Sequence, residues 1–138
     1  MSEGRTSAES ENWYVKNKSK IMREMRFASQ YFRKHLVQAY GKAEGEAITR
    51  EALGRFEAQL PDLPDIGGAE NVNTRYLYGS AAHMAIYCSV RARGASVEDA
   101  ARLIYLGASS FHKSFPMRWL MRWQGRRMFS RKRIDQRR

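Results

Sequence analysis

The segment TRYLYGSAAHMAIYCSVRARG, residues 74–94, constrains the fold of this chain more than any other. Leu77, Ala81, Met84 and Cys88 recur at three- and four-residue steps and predict a helix ending at Gly94. Gly79, Ile86 and Val90 make most of the remaining circumference apolar as well. A helix apolar around most of its girth needs other helices on several sides, so this one belongs in the middle of a bundle. Its small residues Gly79, Ser80, Ala81 and Ala82 would let a neighbour approach closely.

The rest of the chain supplies the neighbours. In KSKIMREMRFASQYFRKHLVQAYG, Ile21, Met25, Ala28, Phe32, Leu36 and Ala39 fall on one stripe, and Gly41 is placed to end the helix. A second stripe, Ala47, Ile48, Ala52, Leu53, Phe56 and Leu60, runs to Pro61, and the short connection at Gly41 predicts an antiparallel pair. PDLPDIGGAENVN, residues 61–73, reads as an irregular loop able to present functional groups. Ser96 and Asp99 have capping-box spacing, with Asp in place of Glu or Gln, and start a fourth helix. Pro116 suits the first turn of a fifth.

No segment alternates with period two, and no internal repeat is visible. The expected fold is all-α: a bundle of about four helices plus a basic amphipathic C-terminal helix. Residues 1–16 are expected as a flexible segment from which Trp13 and Tyr14 can dock, 17–115 as the bundle, and 116–138 as the basic helix and tail.

Charge is concentrated at one end. From Lys113 onward ten Lys or Arg face one acid, Asp135, so +9 of the net +11 lies there and residues 1–112 carry +2. Arg118, Arg122 and Arg126 line one edge of the expected helix, while Met117, Trp119, Leu120, Met121, Trp123 and Met128 fill the other arc. Together with Arg127, Arg131, Lys132 and Arg133, the residues Arg118, Trp119, Arg122, Trp123 and Arg126 are candidates for binding an anion or partner. Such a helix suits an anionic membrane, nucleic acid or an acidic protein. It equally suits packing on the bundle with its arginines solvated, or forming a homodimer through its apolar arc.

Cys88 is the single cysteine, which excludes an intramolecular disulfide. No window approaches the ~18 apolar residues of a membrane span, and a cytoplasmic location is expected. His35, His83 and His112 fall on three different helices without metal-ligand spacing, and neither a phosphate-binding loop nor a nucleophile elbow is present. No catalytic residue, metal or cofactor is therefore expected. His83 shares a helical face with Tyr76, Ser80 and Tyr87, a cluster that could hold a small ligand or relay a proton. The plainer reading is a buried imidazole satisfied by a tyrosine hydroxyl, with Cys88 as a small buried hydrophobe.

SQYFRKHLVQAYGKAEGEAITREALGRFE, followed after a loop by YLYGSAAHMAIYCSVRARGASVEDAARLIYLGASSF, resembles the N-terminal helical part of the L-2-amino-thiazoline-4-carboxylic acid hydrolase family. The resemblance spans roughly residues 23–130. It implies hydrolysis of a cyclic C–N bond to an N-carbamoyl cysteine, in a site that family members complete with a second half containing strands and cysteines. It thus implies a second polypeptide supplying the reacting groups, and no turnover by this chain alone. No family catalytic residue maps onto a position of this sequence. The alternative is a non-enzymatic helical interaction module acting through its basic Trp/Arg tail.

Overall fold

The computed structural model describes residues 12–64 and 72–114. Within them the fold is an all-α bundle: α1 (Trp13–Lys16), α2 (Lys18–Tyr40), α3 (Lys42–Gln59), a 3-10 turn (Leu60–Asp62), α4 (Val72–Ala92) and α5 (Val97–Ser114). None of these helices is long and apolar enough to cross a membrane. The expected fifth, basic helix lies outside the described residues.

Each boundary has a local cause. Gly41 alone separates α2 from α3 and adopts φ 90°, a left-handed value that side chains disfavour. Gly94 does the same at φ 93° between α4 and α5. The Ser96 hydroxyl accepts a hydrogen bond from the Asp99 amide at 3.1 Å, the expected cap on α5. Pro61 sits inside the 3-10 turn that follows α3 rather than directly closing the helix.

The expected stripes of α2 and α3 face inward. Ile21, Phe32 and Leu36 are buried from α2, and Ile48, Ala52 and Phe56 from α3, with Leu60 buried in the turn that follows. Full burial of such a large apolar side chain is worth about 2 kcal/mol. Ala39, expected on the same stripe, is instead exposed, and Tyr40 beside it packs against the core.

Helix α4 corrects the opening expectation. Its buried positions are Thr74, Tyr78, Ala85, Ile86, Ser89 and Val90, whereas Met84 is 50% exposed and Cys88 is exposed too. Met84 and Cys88 therefore turn away from the described core while Ala81 of the same stripe packs against it, and the single thiol does not act as a buried hydrophobe. Buried hydroxyls replace it on the inner face, where Ser89 donates to the Ala85 carbonyl at 2.8 Å.

The N-terminal segment is anchored from Asn12 onward. The Asn12 amide nitrogen lies 3.0, 3.1 and 3.2 Å from the carbonyls of Leu60, Pro61 and Leu63, and its oxygen caps α1 by accepting from the Val15 amide. Trp13 and Tyr14 dock as anticipated, and the Tyr14 hydroxyl donates to the Pro64 carbonyl at 2.9 Å.

The two glycine turns lie at the same end of the bundle, and that end is tightly closed. Gly45 packs on Val37, where an added methyl would lie 2.6 Å from the Val37 Cα. Arg93 reaches across to Glu44 and Glu51 on α3. Helices α2 and α3 share the most extensive contact, whereas α4 and α5 touch least among the neighbouring pairs of long helices. The site lies away from this closed end, among residues 24–36 of α2, 49–56 of α3, 75–86 of α4 and 108–112 of α5.

Candidate functional site

A cavity of about 460 Å³ is lined from all four long helices. Its volume has a sequence cause. Ala28 of α2, Ala52 of α3, Gly79 and Ala82 of α4, and Ala108 of α5 all line it, so each helix presents a small residue to the same space. A Cβ added at Gly79 would meet nothing within 4 Å. Here the small residues leave a void instead of drawing the helices together. Close approach is found elsewhere, where Gly107 packs against the Phe32 ring.

Two contacts run diagonally between α2 and α4 at this wall. The Tyr78 hydroxyl donates to Glu24 Oε2 at 2.8 Å, and the His83 ring lies 5.4 Å from the Phe32 ring, tilted by 49°. Both contacts advance along the two helices in the same direction, consistent with α2 and α4 running parallel. Met25, Phe32, Phe56 and Ile86 give the cavity its apolar interior, and Phe27 stands at the rim, 41% exposed.

Polar groups line it as well. His83 and His112 both line the cavity, together with Arg75 and the Glu24–Tyr78 pair. Burial holds the His83 imidazole below its ordinary pKa of 6.5, and the nearby His112 charge pushes it the same way. His83 is therefore neutral at neutral pH.

The four residues expected to cluster do not all converge. Tyr76 and His83 line the cavity, with Tyr76 74% exposed at the rim. Ser80 and Tyr87 are half-buried and lie outside the lining. At 100° per residue they fall just past the arc running from Tyr78 through Ile86 to His83. The imidazole also takes an aromatic ring as its neighbour, Phe32, where a tyrosine hydroxyl was the plainer expectation. The anion-binding candidates Arg118, Trp119, Arg122, Trp123, Arg126, Arg127, Arg131, Lys132 and Arg133 lie outside the described residues.

Sequence reading missed one polar pair. His35 Nε2 lies 2.8 Å from Ser110 Oγ, joining α2 to α5. Serine beside histidine is the geometry of an activated nucleophile, but Ser110 sits within a helix whose amides are engaged in backbone bonding, so they supply no oxyanion site. Beside it the Tyr31 and Phe111 rings pack edge-on at 5.4 Å, and the pair serves as a cross-link between the helices. Among the described residues no group of three His, Cys, Asp or Glu side chains is placed to hold a metal ion.

No protein-family model, curated protein or solved structure matches this chain.

Proposed function

We propose that this chain is a helical binding module that takes a small, largely apolar molecule into the cavity between α2, α3, α4 and α5. The observation that carries this reading is the cavity itself: a partly open, largely apolar volume of about 460 Å³ with a few polar groups on its wall. Ligand pockets are commonly of this size and chemistry.

The test is binding of a neutral aromatic probe, 2-naphthamide, followed by calorimetry and thermal unfolding. Saturable one-to-one binding that raises the Tm, and that is lost when the cavity is filled by Ala82→Phe, supports the reading. An absence of binding, or binding indifferent to Ala82→Phe, contradicts it.

A second reading rests on the resemblance to the thiazoline-carboxylate hydrolases. The convergence of two imidazoles on the cavity wall favours it, because a ring-opening hydrolysis needs proton transfer. In this reading the cavity forms one wall of a site completed by a second polypeptide, and the pure chain gives no turnover. Ring opening by the isolated chain would overturn that division of labour.

A further inference from the structure

The charged and titratable groups facing the cavity come from three helices. Helix α2 contributes Glu24, α4 contributes Arg75 and His83, and α5 contributes His112, while α3 presents Thr49, Ala52, Leu53 and Phe56 without a charge. Glu24, the only acid among the described residues on the wall, already accepts the Tyr78 hydroxyl at 2.8 Å. Among the described residues the wall therefore has more cationic or protonatable groups than acids, and two of them are imidazoles on different helices.

The nearby His112 adds to burial in opposing protonation of His83. An anion placed between them reverses the balance, because each imidazolium then gains an opposite charge and a hydrogen-bond acceptor. A carboxylate fits this role: it has two acceptor oxygens, carries a single charge, and costs less to desolvate than a phosphate dianion.

Building on the binding reading above, we propose that the guest is a small apolar carboxylic acid, bound as its anion. The carboxylate lies at the His83 and His112 edge, and the apolar body lies against Met25, Phe32, Phe56 and Ile86. Binding draws a proton from solution onto His83. The carboxylate forms no covalent bond.

The experiment compares 2-naphthoate with 2-naphthamide, which share a ring system but differ in charge. Titration calorimetry is run at about pH 6 and about pH 8, on either side of the imidazole range, in buffers of two ionisation enthalpies that count protons. The expected result is about tenfold tighter binding of the carboxylate at the lower pH, the worth of one charge-assisted hydrogen bond. Proton uptake accompanies it, and the advantage shrinks at the higher pH.

His83→Gln with His112→Gln should abolish the advantage of carboxylate over amide. His112→Gln alone, at an exposed position, should reduce it without risk to the fold. Amide and carboxylate binding equally at both pH values would overturn the inference and leave the binding reading standing. So would a carboxylate advantage that survives both histidine changes. Failure of both probes to bind would overturn the two together.

Discussion

His83 on α4 and Phe32 on α2 meet with ring centroids 5.4 Å apart across the diagonal of the bundle, and both line its cavity. The imidazole therefore gives up solvation for an apolar neighbour, and its pKa falls below 6.5. The unfolded chain accepts a proton there more readily than the folded one. His83 leaves stability undiminished above pH 6.5, and stability falls as pH drops below that value. Thermal unfolding across this range should show the His83→Gln variant losing less Tm than the parent. An identical slope in both would show that His83 is not the group responsible.

Two glycine-to-alanine changes in helices should have opposite signs. Alanine ordinarily stabilises a helix interior by up to about 1 kcal/mol over glycine, and Gly79 has open space for the methyl. Gly79→Ala should raise stability by roughly that amount. At Gly45 the methyl would meet the Val37 backbone, so Gly45→Ala should destabilise by about 2 kcal/mol. Urea unfolding of the two variants measures both signs.

Arg93 fastens the closed end. Its guanidinium donates to Glu51 at 2.9 Å, to Glu44, and to the Ser89 carbonyl at 3.1 Å. The Arg93 hydrogen bond holds the Glu51 carboxyl below its usual pKa of 4.5, despite burial acting the other way. That contribution is present above pH 4.5 and is lost as pH falls below it. Arg93→Ala should cost about 1 kcal/mol at neutral pH, the upper end for solvent-screened pairs, and should weaken the acid dependence. A pH series of urea midpoints tests both effects.

The C-terminal charge makes a separate prediction. Nine of the eleven net positive charges lie beyond residue 112, so affinity for nucleic acid or acidic lipid should fall steeply with salt. Replacing Arg118, Arg122, Arg126 and Arg127 by Gln should abolish it. Binding to DNA or anionic vesicles that is indifferent to salt or to these changes would remove the tail as an anion-binding element.

Much of the bundle can be read from the chain because helix boundaries have local causes. Gly41, Gly94 and Ser96 each act within a turn or two of their own position, and the stripe from Ile21 to Leu36 is a one-dimensional pattern. The error at Met84 and Cys88 has an equally definite origin. Where a helix is apolar on nearly every side, periodicity cannot say which side is inward, and here the choice falls to Tyr78, Ala85 and Ser89. The cavity was still less legible, because it arises where small residues 28, 52, 79, 82 and 108 meet in space across four helices. Its signal in the sequence was the run of small residues in α4, which is equally compatible with close helix approach. The His35–Ser110 pair spans 75 positions and has no local signature at all.

The most direct test of the central claim is to label the methyl groups of Met25 and Ile86 with carbon-13 and record their spectra during titration with 2-naphthamide. Both residues line the cavity from different helices. The account predicts saturable shifts of both methyls with one common dissociation constant, abolished by Ala82→Phe, while the methyl of Val15 on α1 stays unchanged. Unmoved Met25 and Ile86 signals, or shifts that persist when the cavity is filled, would contradict it.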